Sequence, residues 1–273
     1  MNVSVICGSH PRNCELIRAL EGIPFVNIQS VVLFEREEIT PPPPEHLADD
    51  LKRLWITHFS KRASVEQQFF TADKTIASKF NTRIVRTQTE LNSQGIANFI
   101  NKNKPEACFI TGIPILRDPL YSNLPAYTIN LHLGLIPEYK GAITMFWPFY
   151  MLEPKMAGCS YHIIGRKVDT GQLIHQFCPK LELGDTMHLV AARATTGALG
   201  DIEKIICWTH SQLENGVLPR PDKTLETRGK LFTRADFTPE KLRVIYDLYD
   251  DKIVDLCLRG EIESREPSLV SVV

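Results

Sequence analysis

The run Ala107-Cys-Phe-Ile-Thr-Gly112 confines this chain more than any other. It is apolar almost without interruption and is entered through Pro105 and Glu106. A strand of that composition is buried on both faces, which requires a sheet with helices packed above and below it. Val3-Ser-Val-Ile-Cys-Gly8 is a second such run, and Ser-His-Pro-Arg-Asn then leads into Leu16, Ile17, Ala19 and Leu20 at helical spacing. Strand, turn and helix in that order form the opening unit of a parallel α/β sheet. With 273 residues, 43% of them hydrophobic, the chain can bury a substantial core as one main domain with an appendage.

Phe25 to Ile28 and Ser30 to Phe34 predict a second strand. Glu35 to Glu38 and the prolines Pro41 to Pro44 then stop regular structure, because proline fixes φ and lacks an N–H. Between Glu45 and Phe70 the residues Leu47, Leu51, Leu54, Trp55, Phe59, Val65 and Phe69 recur mostly every three or four positions. An amphipathic insertion of one or two helices is expected there. Its His58, Arg62 and Glu66 share one face, which reads first as solvated or salt-bridged. Thr82 to Arg86 predicts a short strand, Ser93 to Asn101 a helix, and Met145 to Tyr150 an aromatic-rich helix start. Ser160 to Ile164 and Gln172 to Phe177 are expected strands, joined by a loop that carries Asp169. A long helix is expected over Asp185 to Ala198, capped by Asp185 or Thr186, with Gly200 just past its end. Beyond Ile205 the core pattern fades. His210 to Glu226, with Pro219 and Pro221, predicts a connector, Arg228 to Arg234 a short strand, and Pro239 to Leu258 a helix. Residues from Glu261 predict a loosely ordered tail. The expected division is 1–208 for the main domain, with the insertion at about 45–70, and 209–273 for the connector and a small C-terminal region.

The net charge of −1 provides no global basic field for nucleic acid. No apolar run reaches membrane-spanning length, and the first eight residues lack the charged start and long apolar region of a signal peptide. A cytoplasmic protein with no membrane partner is therefore expected. The seven cysteines are scattered and form no Cys-x-x-Cys pair, so they read as reduced core thiols. His162 and His175 have no ligand spacing with His132, and no metal is expected.

The most informative stretch runs from Ile129 to His175. Asn130 and His132 alternate with Ile129, Leu131 and Leu133, so in a strand both polar side chains share one face. Leu135-Ile-Pro137, Tyr139 and Gly141 follow as a turn, and Asp169-Thr-Gly171 comes later. Taken singly, Asn130 suits a turn or cap, His132 a hydrogen-bonded structural role, and Asp169 a turn. In combination the stretch closely resembles the catalytic core of the 10-formyltetrahydrofolate-dependent formyltransferases. Their pattern is Asn-x-His, a Leu-x-Pro turn with an aromatic and a Gly soon after, and Asp-x-Gly further on. The chain departs from it at Gly134, where many members have Ser.

The resemblance implies a Rossmann-like, mostly parallel twisted sheet flanked by helices, and transfer of a formyl group from 10-formyltetrahydrofolate to a primary amine. Attack of the amine on the formyl carbon creates a tetrahedral oxyanion. By resemblance Asn130 donates its amide to the formyl oxygen, and His132 adds a second donor or a proton. Loss of one such donor costs roughly 2.7–4 kcal/mol of barrier. Asp169 is expected to orient His132 and to take the proton that the amine loses. Gly112, Ile113 and Leu116 are carried over as contacts of the folate, although packing explains Ile113 and Leu116 equally well. Among residues for the acceptor, His10 and Arg12 are candidates for an anionic group near the helix N-terminus, with a plain turn as the alternative. Trp147 is a further candidate, with core packing as its alternative. The face of His58, Arg62 and Glu66 gains a second reading as the mouth of the acceptor site.

From Asp236 onward nine acids face five bases. Binding to tRNA depends on many phosphate contacts, so this acidic end argues against a tRNA acceptor. The purine-type Gly-rich phosphate turn is also missing, and the resemblance is greatest to bacterial enzymes that N-formylate nucleotide-linked amino sugars. In those the nucleotide often rests on aromatic side chains, for which Phe232, Tyr246 and Tyr249 are candidates alongside a core role. The partners expected are a small-molecule amine, most like a nucleotide sugar, no nucleic acid, and a second copy of the chain as an option the sequence leaves open. The alternatives are a methionyl-tRNA or glycinamide ribonucleotide formyltransferase, a 10-formyltetrahydrofolate hydrolase, and a non-catalytic folate-binding protein.

Overall fold

The computed structural model describes residues 1–73, 75–220 and 224–273. Seven strands form one twisted sheet: β1 (Asn2–Gly8), β2 (Asn27–Phe34), β3 (Thr82–Val85), β4 (Ala107–Thr111), β5 (Tyr127–His132), β7 (Cys159–Ile163) and β8 (Leu173–Phe177). The short β6 (Tyr139–Gly141) and β9 (Lys230–Phe232) pair with each other. The order is β3-β2-β1-β4-β5-β7-β8, parallel as far as β5 and antiparallel from there. Strand order reverses at β1/β4, so the crevice at the carboxyl ends of those strands is where this architecture builds a site.

Alternation along the strands decides which layer each side chain enters. Val3, Val5 and Cys7 of β1 join Ala107 and Phe109 of β4, and Tyr127, Ile129 and Leu131 of β5, in a core shared with Leu16, Ile17 and Leu20 of α1 (Pro11–Glu21). Ala194 and Ala198 from the helix Met187–Gly200, and Ile205 and Ile206 from the helix Ile202–Glu214, close that layer. Ile6, Cys108 and Ile110 point the other way, onto Ile96 and Ile100 of the helix Gln94–Asn101, which Ser93 caps. The Met187–Gly200 helix is capped by Thr186, whose side chain accepts from the Leu189 N–H.

Several expectations are corrected. The insertion is one helix, α2 (Asp49–Phe69), with two aspartates in its first turn favourably placed against the helix dipole. The Met145–Tyr150 segment makes only one turn of helix, Trp147–Tyr150. The expected connector begins late, because the Ile202–Glu214 helix carries buried Ile205, Ile206 and Thr209 past the sequence boundary; Pro221 lies outside the described residues. The Pro239–Leu258 segment is broken into a 3-10 turn at Pro239–Lys241, a π-helical turn at Val244–Leu248 and an α-helix at Ile253–Leu258. Asp250 and Asp251, both at positive φ, interrupt it. The tail is held against the β8 edge: the Gln176 N–H donates to the Val270 carbonyl at 2.8 Å and the Val272 N–H to the Ile174 carbonyl at 2.9 Å.

The C-terminal region is more than an appendage. Phe232, Leu242, Ile245, Ile253 and Val254 share a core with Leu135, Tyr139, Phe146, Trp147, Leu51 and Leu54. The His58 face of α2 also turns inward. His58 Nδ1 lies 3.0 Å from Tyr246 Oη, and its ring centroid is 4.8 Å from that of His188.

Burial lowers both imidazoles, with repulsion between His58 and His188 adding to it for His58; His188 falls from 6.5 to about 3, with Arg62, Lys61 and Arg12 contributing. A base whose folded pKa is depressed leaves the unfolded chain to take up the proton first. Stability is therefore lost as pH falls from about 6.5 toward 3. Urea unfolding at pH 5 should show about 2 kcal/mol less stability than at pH 7 from His188 alone, and His188→Leu should flatten that slope. Equal stability of the parent chain at the two pH values would contradict this.

Candidate active site

β5 ends on Asn130 and His132, both on the face opposite Ile129 and Leu131. Asn130 is half-buried and His132 is buried. Asn130 is registered with Ile110 of β4 on one side and with His162 of β7 on the other. Its amide Nδ2 lies 3.0 Å from His162 Nε2. His162 Nδ1 faces the Ile163 carbonyl at 3.1 Å and so carries the hydrogen, leaving Nε2 to accept from the amide. Burial lowers the His162 pKa, against the opposing pull of Asp169.

His132 Nε2 donates to the Tyr139 carbonyl at 2.8 Å, and Nδ1 stands 3.4 Å from Asp169 Oδ1. The same carboxylate oxygen is 3.7 Å from His162 Nε2. The other, Oδ2, accepts from the Gly141 N–H at 2.6 Å. Asn130, His132 and Asp169 are thus brought together as expected, with His162 as a fourth member that sequence reasoning noted only to exclude a metal. Its signal lay in the pairing of β5 with β7, which becomes readable only once the register is known.

The loops that deliver these groups are tightly built. Asp169 sits at φ 48° and Gly171 at φ 111°, and a Cβ on Gly171 would come within 2.1 Å of the Ile163 carbonyl oxygen. The turn after β5 is fastened from below. Ser160 Oγ donates to the Gly134 carbonyl at 2.8 Å and accepts from the Ile136 N–H at 3.0 Å, while Gln176 Nε2 donates to the Ile136 carbonyl at 2.7 Å. Gly141 approaches β9 so closely that a Cβ there would lie 2.0 Å from the Phe232 carbonyl oxygen. Among the described residues no group of three or more His, Cys, Asp or Glu side chains could hold a metal ion.

Gly112, at φ +63°, leaves β4 beside this site, and Ile113 and Leu116 follow as half-buried side chains packed against the Ile6 and Ile110 layer. At the end of β1, His10 Nε2 reaches the Glu37 carbonyl at 2.5 Å and its Nδ1 faces the Arg62 guanidinium at 3.5 Å. Glu66 accepts from Arg62 at 2.8 Å and pairs with Arg12 at 3.2 Å. Burial pushes the Glu66 carboxyl up, but Arg12 and Arg62 outweigh it and hold the group below its usual value. Burial likewise lowers Arg12 to about 10, leaving it charged at neutral pH. Arg36 and Arg234 both pair with Glu37 at the rim. Four guanidinium groups therefore meet two carboxylates, so the α2 face is salt-bridged and carries a positive excess.

The aromatic candidates for the acceptor take core roles. Trp147 is buried, donates its indole N–H to the Ala142 carbonyl at 2.9 Å, and stacks on Phe232 with centroids 4.4 Å apart. Phe232 is buried between Trp147 and Tyr139, and Tyr246 hydrogen-bonds to His58.

The formyl transferase family model matches residues 56–198, more than half of the chain, and the protein belongs to that family. The bifunctional polymyxin resistance protein ArnA of Wigglesworthia glossinidia brevipalpis is 26% identical over 170 residues, covering 60% of this chain and 23% of that protein. The chain spans about a quarter of the length of the first curated relatives it matches. The fold is shared with a phosphoribosylglycinamide formyltransferase from Anaplasma phagocytophilum (TM-score 0.53, 19% identity, 74% of this chain and 83% of that one). It is shared also with a 4-N formyltransferase from Francisella tularensis (TM-score 0.52, 14% identity, 86% of this chain and 77% of that one).

Gly134, where the family pattern often has Ser, is explained by crowding. A Cβ there would lie 2.7 Å from His132 Nε2, from the Tyr139 carbonyl oxygen and from Thr144 Cβ. Gly134→Ala is expected to cost about 1–3 kcal/mol in urea unfolding, the usual range for overpacking. An unchanged unfolding midpoint would show that the turn has room for the methyl group.

Proposed function

We propose that the protein transfers the formyl group of 10-formyltetrahydrofolate to a primary amine on a small, anionic acceptor, a nucleotide-linked amino sugar. The observation that carries the reading is the joint placement of the Asn130 amide, the His132 imidazole and the largely enclosed Asp169 carboxylate at the end of β5.

The amine nitrogen bonds to the formyl carbon, the carbonyl π electrons move to oxygen, and the oxyanion forms beside Asn130. One amide N–H is held by His162, which leaves the second for the oxygen. His132 Nε2 donates to the Tyr139 carbonyl, so Nδ1, beside Asp169, is the position at which a proton is taken up and shared with the carboxylate. The amine gives up a proton toward this pair. Collapse of the oxyanion then breaks the bond from the formyl carbon to folate N10, which takes up a proton in turn. The Gly112–Leu116 rim is the part assigned to the folate in this reading: it follows β4, whose Ile110 is registered with Asn130, and it carries half-buried apolar side chains.

Support for an anionic acceptor comes from His10 and from the arginine excess of Arg12, Arg36, Arg62 and Arg234 around the β1 end, a setting suited to phosphate. The acidic balance after Asp236 speaks against a tRNA acceptor.

The test is spectrophotometric release of tetrahydrofolate from 10-formyltetrahydrofolate against nucleotide-linked amino sugars, glycinamide ribonucleotide, methionyl-tRNA and no acceptor. Release that depends on an amino sugar supports the reading. Release without acceptor would replace it with a hydrolase, and release with glycinamide ribonucleotide or methionyl-tRNA alone would overturn the acceptor class. Asn130→Ala, His132→Ala and Asp169→Ala are each expected to lower kcat by at least about a hundredfold while the circular dichroism spectrum stays unchanged. Near-normal turnover in His132→Ala would remove the proton step.

A further inference from the structure

The transferase reading assigns a task to Asn130 but leaves open what keeps its amide aimed. A half-buried primary amide at a strand end can rotate about its last bond and exchange its oxygen and nitrogen positions. The strand register supplies an answer. Asn130 of β5 and His162 of β7 are directly opposed in an antiparallel pair, where cross-strand side chains stand next to each other.

His162 is almost wholly enclosed, with a side-chain exposure of 2%. Its hydrogen at Nδ1 is taken by the Ile163 carbonyl at 3.1 Å, so Nε2 presents only a lone pair, and that lone pair lies 3.0 Å from the Asn130 amide nitrogen. An amide turned the other way would set its oxygen against the same lone pair, leaving two acceptors face to face in a buried site. The neighbouring Asp169 Oδ1, 3.7 Å from Nε2, is also an acceptor and offers the ring no competing hydrogen while it is ionised.

We propose that His162 is a positioning residue, which fixes the Asn130 amide with one N–H anchored and the other aimed at the oxyanion. The inference rests on the transferase reading for its consequence and on the β5–β7 pairing for its geometry. The imidazole itself touches no reacting atom. Its loss should therefore reach the reaction through Asn130 and disappear when Asn130 is gone.

The test is a double-mutant cycle. His162→Phe should lower kcat by about 10- to 100-fold, with KM for 10-formyltetrahydrofolate changed less than about threefold. His162→Gln, whose Oε1 can accept near the position of Nε2, should recover most of that loss. In the Asn130→Ala background the change to Phe should cost less than about twofold, since coupled residues do not add. An equal factor in both backgrounds, or a raised KM with kcat preserved, would overturn the proposal. If the Phe variant does not fold, His162→Asn keeps a donor for the Ile163 carbonyl but falls short of Asn130, and it carries the same expectations.

A substrate-free readout separates this inference from the transferase reading. Hydrogen exchange of the Asn130 side-chain amide, followed by NMR, should be at least about tenfold faster in His162→Phe or His162→Asn than in the parent chain. Equal exchange would overturn the positioning role whether or not the parent chain turns over any acceptor. Faster exchange in a chain with no turnover would support the positioning role while counting against the reaction.

Discussion

The site depends on one largely enclosed carboxylate. Asp169 accepts from the Gly141 N–H through one oxygen and turns the other toward His132 and His162, at 3.4 and 3.7 Å. Burying such a group is costly unless it is hydrogen-bonded or paired, and here the backbone supplies the firmest contact. Much of the surrounding construction can be understood as what brings that N–H and those two rings to one point. The β7–β8 loop carries Asp169 at a positive φ, Gly171 lets the loop pass close under Ile163, and β5 presents His132.

Gly141 in turn is placed by a distant part of the chain. It belongs to β6, which pairs with β9, and the Ala142 N–H donates to the Phe232 carbonyl at 2.8 Å. The Trp147, Phe232 and Tyr139 rings stack in sequence behind that pairing. The C-terminal region thus joins the Tyr139–Gly141 segment in a single packed core, so substitutions in it can reach the candidate site from a distance. Aromatic rings that a sequence reading offers to a nucleotide are used instead to hold the loop that holds Asp169.

The parallel half of the sheet was legible because β1 and β4 announce themselves as apolar runs, and burial on both faces calls for a sheet covered by helices. Asn130 and His132 were legible as a shared face because strand periodicity is two. The ends of the chain were not. Pro239 to Leu258 has helical spacing, yet the aspartates at 250 and 251 adopt positive φ where the segment packs back on α2 and the Met187–Gly200 helix. Spacing says nothing about such tertiary constraints. His162 and Gln176 were invisible for a different reason: their roles come from cross-strand register, and one residue of slip would turn both away. The His58, Arg62 and Glu66 face illustrates the same limit, since a polar stripe on a helix looks alike whether it meets water or a buried partner.

The most direct measurement is a crystal structure with a non-transferring analogue of 10-formyltetrahydrofolate that keeps the formyl carbonyl. The account predicts that carbonyl oxygen within about 2.7–3.1 Å of Asn130 Nδ2, with the ring system against Gly112 and Leu116 and with Asn130 still bonded to His162. An analogue bound with its carbonyl turned away from Asn130, or held at another place on the sheet, would contradict it.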